Sequence, residues 1–95
     1  GDMDYLRQFK TKVLPSLEAF KPDIILISAG FDAHQDDPLS GLNLSTKIYY
    51  TFTMLLGEIA KKYSKSRMIA ILEGGYNLEA LSDSAVMVIH ALLDM

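Results

Sequence analysis

The chain contains no cysteine, which excludes disulfides and every thiolate metal site. Any metal held here must use Asp, Glu, His or carbonyl oxygen. There is no basic excess either: 9 Lys and Arg stand against 12 Asp and Glu, for a net charge of −3. Nothing in that balance points to a nucleic-acid partner. The local cluster Lys61, Lys62, Lys65 and Arg67 reads as a solvated helix end that suits the helix dipole. No apolar run approaches the roughly 20 residues of a membrane span, and no signal peptide is evident. The expectations are therefore no membrane partner and a cytoplasmic location. The G-x-S-x-G elbow, the P-loop and the G-x-G-x-x-G fingerprint are all missing. At 95 residues the chain makes one domain at most.

What is present is a regular succession of elements. Tyr5, Leu6, Phe9, Val13, Leu14, Leu17 and Phe20 recur at helical spacing, with Asp2 or Asp4 available as a cap. Pro15 predicts a kink or break near Val13–Pro15, and Pro22 ends the unit. Ile24 to Ser28 and Met68 to Leu72 are short continuous apolar runs, the pattern of strands buried on both faces of a parallel sheet. Between them Ile48, Tyr49, Phe52, Leu55, Leu56, Ile59 and Tyr63 mark a helix that Ser45 can cap. After the second run Asn77 can cap a last helix, with Leu78, Leu81, Ala85, Val88, Ile89, Leu92 and Leu93 facing inward. Strand–helix–strand makes the strands parallel, so "GFDAH" and "EGGYN" follow strand ends on the same rim. The fold class is α/β: two buried parallel strands with about three helices. Two strands alone leave both sheet edges unpaired, so the chain reads as a slice of a larger sheet or as one that self-associates through those edges.

Asp32, His34, Asp36 and Asp37 crowd the loop after the first strand. Asp32 can reach into the rim cleft as a metal ligand, or it can make an Asx-turn or a cap. His34 presents a second ligand only if the backbone is extended; otherwise it is a loop histidine. Asp36 and Asp37 precede Pro38 and read as turn formers. In "EGGYN", Gly74 and Gly75 permit close backbone approach or positive φ, and they form a weak candidate for a phosphate cradle. Tyr76 is either an oxyanion donor or an aromatic packed over the sheet end. Glu73 is a buried structural acid or a supporting group, and His90 on the last helix reads as structural. The five methionines read as core filler. These residues do not complete any catalytic set.

The strings "PDIILISAGFDAHQDDPLSGLNLS" and "ILEGGYNLEAL" closely resemble the histone deacetylase superfamily, with the nearest look to bacterial class II-like deacetylases and acetylpolyamine amidohydrolase relatives. "GDMDYLRQF" and "VLPSLEAFKPD" extend the resemblance over essentially the whole chain. It implies a partial three-layer α/β/α arginase/deacetylase-like fold, with residues 1–95 an incomplete, C-terminal portion of a deacetylase-like domain. It implies zinc as cofactor in the intact parent, with Asp32 matching one metal ligand and Tyr76 the tyrosine that polarises the acetyl carbonyl. Leu39, Gly74 and Gly75 match residues beside the substrate channel. His34 and Asp37 belong to the family pattern without being zinc ligands.

The family's paired histidines and its other D-x-H ligand motif do not occur here. The expectation is that the isolated chain neither binds zinc stably nor hydrolyses an acetyl-amide. The parent's substrate would be an acetylated amine, acetyl-lysine or acetylpolyamine. The competing reading is a non-enzymatic α/β module that self-associates or binds a small ligand at the strand C-terminal rim.

Overall fold

The computed structural model describes residues 1–38 and 41–95. Among the described residues seven segments follow in order: helix α1 (Asp2–Gln8), a π-helical stretch (Phe9–Val13), helix α2 (Leu14–Phe20), strand β1 (Ile25–Ala29), helix α3 (Thr46–Tyr63), strand β2 (Met68–Leu72) and helix α4 (Leu78–Asp94). Pro15 lies in the first turn of α2. It cannot donate to the carbonyl four residues back, and its ring crowds that carbonyl. The chain answers with the wider π-helical turn just before it rather than with a sharp break. Flanking hydroxyls help, Thr11 donating to the Arg7 carbonyl and Ser16 to that of Lys12. Lys21 then turns left-handed at φ 54°, out of the helical region as Pro22 requires.

β1 and β2 pair in parallel, from Ile25 opposite Met68 to Ala29 opposite Leu72. Their burial departs from the expectation. Ile25 is buried against Ile59, Ala60, Leu14 and Leu17, and Ala29 and Ala70 pack on Phe31, Leu44, Ile48, Tyr49 and Val88. The alternate residues face away from all of these: Leu26 is 62% exposed, Ile69 50% and Ile71 52%. The helices thus cover one face of the sheet, giving two layers among the described residues, and the apolar run reflects a second face these residues do not cover.

α4 corrects a second expectation. Its fully buried residues are Ala80, Ser84, Val88 and Ala91, with Leu81 and Ala85 packed beside them. Of the expected inward set Leu81, Ala85 and Val88 hold, and the other apolar positions do not supply the buried stripe. Small residues let α4 lie close against α3, which buries Thr53, Gly57 and Ala60. A β-carbon at Gly57 would meet the Met95 side chain at 2.5 Å. Leu78 and Leu93 point outward, as does Ile89. The caps divide. Asn77 Oδ1 accepts from the Ala80 N–H at 2.8 Å, as its position predicts. Replacing Asn77 with alanine should cost about 1 kcal/mol, read as a lower urea midpoint with an unchanged slope. Ser45 makes no side-chain cap to α3. Its N–H and hydroxyl both donate to the Asp2 carboxylate instead, tying α1 to the start of α3. Among the described residues no helix is long and apolar enough to cross a membrane.

Candidate functional site

The pairing of the strands continues past their ends. The Glu73 N–H donates to the Ala29 carbonyl at 3.0 Å, and the Phe31 N–H to the Gly74 carbonyl at 2.8 Å. Parallel pairing therefore lays the two polar loops side by side on one rim, the edge at which open α/β sheets present ligand sites.

At this rim Asp32 and Tyr76 converge. The Asp32 carboxylate rests over two glycines: a β-carbon built at Gly30 would lie 3.2 Å from its Oδ1, and one at Gly74 3.4 Å from its Oδ2. That same point at Gly74 lies 3.4 Å from the Tyr76 hydroxyl oxygen. Both oxygens thus lie against the space that Gly74 leaves by lacking a side chain and are at most twice that distance, 6.8 Å, apart. A methyl group at Gly74 would touch both. Gly75 serves differently. Its φ of +147° is one that side chains rarely adopt, and a β-carbon there would meet Leu81 at 2.7 Å. Tyr76 itself is 57% exposed, so its ring is not packed over the sheet end.

The remaining loop acids and the histidine are architecture. His34 is 2% exposed. Its Nδ1 accepts from the Asp36 N–H at 3.0 Å, which leaves Nε2 as the protonated nitrogen donating to Thr46 Oγ1 at 2.7 Å. The loop also pairs with itself where His34 bridges Leu44. Asp36 contributes its backbone, and its side chain is exposed. Asp37, a turn former by its place before proline, is buried, and its Oδ2 accepts from the Tyr76 N–H at 2.8 Å. In the sequence only the Asp-Pro step signals a constrained backbone here. The partner, 39 residues away, leaves no local trace. Of the two readings of Glu73 the buried acid is overturned: it is exposed, accepting from the Ser28 hydroxyl at 2.7 Å. His90 is exposed on α4. Leu39 lies outside the described residues.

Beneath the rim Tyr49 meets Phe31 edge-on, ring centres 5.0 Å apart. Burial, with the charges of Asp32, Asp2 and Asp37 adding to it, pushes the Tyr49 phenol up to about 12. It therefore stays protonated at neutral pH and serves as floor rather than as a base.

Zinc is the metal that the family resemblance implies. Asp32 offers it a carboxylate of suitable type, but catalytic zinc takes three protein ligands. Among the described residues no group of three or more His, Asp or Glu side chains could hold a metal. These residues by themselves do not fit a complete zinc site.

Comparison with known proteins agrees with the motifs. The histone deacetylase domain family matches residues 1–92. Histone deacetylase 14, chloroplastic, of Arabidopsis thaliana is 44% identical over 93 residues, 98% of this chain and 22% of that protein. Type-2 histone deacetylase 2 of Dictyostelium discoideum is 47% identical over 79 residues, 83% of this chain and 5% of that protein. The crystal structure of the HDA15 HD domain superposes with a TM-score of 0.90 at 45% identity, over 99% of this chain and 26% of that one. The histone deacetylase Clr3 also gives 0.90, at 34% identity, over all of this chain and 15% of that one. The 95 residues thus span about a quarter or less of these relatives. With the rim geometry, the family match and the shared fold in agreement, the chain belongs to the histone deacetylase family.

Proposed function

We propose that these residues supply one metal-ligating carboxylate, Asp32, and one oxyanion donor, Tyr76, to the active site of a zinc-dependent deacetylase domain. The observation that carries this reading is the convergence of the Asp32 carboxylate and the Tyr76 hydroxyl on Gly74. The substrate is an acetylated amine, acetyl-lysine or acetylpolyamine, hydrolysed to acetate and the free amine. The affinity to bacterial class II-like members is our reading of the motifs.

Zinc, when bound in the intact domain, supplies Lewis-acid polarisation and a water of lowered pKa. This chain's part is narrower. The Tyr76 hydroxyl donates to the acetyl oxygen as that oxygen becomes an oxyanion, and its backbone is held before substrate arrives. Gly74 and Gly75 lie beside the approach: the missing side chain at Gly74 leaves room for the Asp32 carboxylate and the Tyr76 hydroxyl, and Gly75 supplies the positive φ that leads into Tyr76. Among the described residues no three His, Asp or Glu side chains gather into a metal site, and on this reading the base that activates water comes from the rest of the domain. The isolated chain is therefore inactive.

Acetate release tests this. The intact domain containing these residues should release acetate from an acetyl-lysine peptide or an acetylpolyamine when loaded with zinc, and the 95-residue chain should release none. Acetate from the isolated chain, or none from the loaded domain on either substrate, contradicts the reading. Among the described residues the sheet face at Leu26, Ile69 and Ile71 is bare and no third strand pairs with either edge, which also favours self-association of the isolated chain. Sedimentation should show oligomers that grow with concentration, whereas a monomer at all concentrations contradicts the expectation.

A further inference from the structure

Asp37 is buried at 7% exposure, a position in which a carboxylate requires partners. One of them is the backbone N–H of Tyr76, at 2.8 Å from Oδ2. This bond complements the one from the Phe31 N–H to the Gly74 carbonyl, at 2.8 Å. Between the two anchors lies only Gly75, at a φ of +147° that leaves the segment no side chain of its own to set its path. The backbone that carries Tyr76 is thus held from both sides by the β1 loop.

Asp37 is itself held in place. Its N–H donates to the His34 carbonyl at 3.0 Å. His34 is fixed by its ring bonds to Thr46 at the start of α3 and to the Asp36 N–H. A chain of bonds therefore runs from α3 through the β1 loop to Tyr76. Hydrogen bonds from an N–H to a charged carboxylate are among the stronger ones in proteins. The hydroxyl of Tyr76 lies at the far end of a long side chain, so a small shift of its backbone is carried to the catalytic oxygen.

Building on the assignment of Tyr76 as oxyanion donor, we propose that Asp37 is the positioning residue for Tyr76. It sets the place of the phenolic hydroxyl over Gly74 by fixing the Tyr76 N–H, without touching substrate or metal. A misplacement of about 1 Å at a reacting group can cost about a hundredfold in rate, which sets the scale of its expected effect.

The test uses the intact, zinc-loaded deacetylase domain, with kcat normalised to bound zinc. Asp37→Ala should lower kcat about tenfold to a hundredfold with KM little changed. Asp37→Asn keeps an acceptor oxygen at the same reach and should recover most of that loss. In a Tyr76→Phe background Asp37→Ala should cost less than about twofold more, because the group it positions is already gone. If Asp37→Ala does not fold, Asp37→Glu takes its place, keeping the charge but displacing the acceptor by one methylene. Full additivity with Tyr76→Phe, an Asn variant as slow as the Ala variant, or an unchanged kcat in the variant that removes or displaces the acceptor would each overturn the proposal. A Tyr76→Phe variant of normal turnover would instead remove the assignment of Tyr76, a distinguishable failure.

Discussion

Replacing Tyr76 with phenylalanine in the intact domain is expected to lower kcat by about 10²–10³-fold, the usual effect of deleting one oxyanion donor. That corresponds to about 2.7–4 kcal/mol of transition-state stabilisation. The substitution removes one oxygen and keeps the ring. Because the side chain is 57% exposed and its backbone is held through the N–H by Asp37, the fold has little reason to respond. Bound zinc should be unchanged, since Tyr76 is not assigned as a ligand. KM should move little, because the hydrogen bond strengthens only as charge develops on the acetyl oxygen. Unchanged turnover at full zinc occupancy would remove Tyr76 from the mechanism. A loss of zinc along with turnover would point to disruption of the site rather than of one bond.

The second large effect is expected at Asp32. Asp32→Asn is nearly isosteric, so the carboxamide still rests over Gly30 and Gly74, as the carboxylate does. The substitution removes the negative charge and the better of the metal-binding oxygens. Groups that only support a ligand are worth about 10–100-fold in metal affinity. A direct ligand should cost at least the upper end of that range, so zinc affinity should fall by about a hundredfold or more. Competition with a chromogenic chelator measures this without reference to turnover. Affinity within about threefold of the parent, a change of roughly 0.7 kcal/mol, would show that Asp32 is not a ligand. Turnover should fall in parallel when zinc is limiting and recover in part when zinc is in excess.

Much of the architecture is legible in the residues. The apolar run at Met68–Leu72 has the bounds of β2, and the run at 24–28 differs from β1 by one position. Asn77 caps α4 as a short polar residue ahead of a helical pattern should. The parallel crossover by itself places the two loops on one rim, because a strand, a helix and a second strand connect in only one common way. Where sequence and structure part, the cause is shared. On α4 the large aliphatics suggest the packed stripe, and Leu81 and Val88 do pack inward, yet Leu78, Ile89 and Leu93 are exposed while Ala80, Ser84 and Ala91 are buried. Apolarity tells that a side chain avoids water, not which neighbour covers it. On the strands, apolar residues on both faces imply burial on both. One of those faces is bare among the described residues. Asp2 and Ser45 each suit the cap of their own helix, but 43 residues apart they bond to one another.

By itself the sequence determined the α/β class, the direction of the strands and the family. These rest on short-range periodicity, on turn chemistry and on two compact motifs. Only the tertiary structure decided that Asp32 and Tyr76 share the space over Gly74, that Glu73 stays in solvent on Ser28, and that the buried Asp37 holds the Tyr76 backbone. The physical reason is that a side chain's partner across a sheet rim is set by strand register. Register brings residues far apart in the chain within hydrogen-bond reach, as the 39-residue separation of Asp37 and Tyr76 shows.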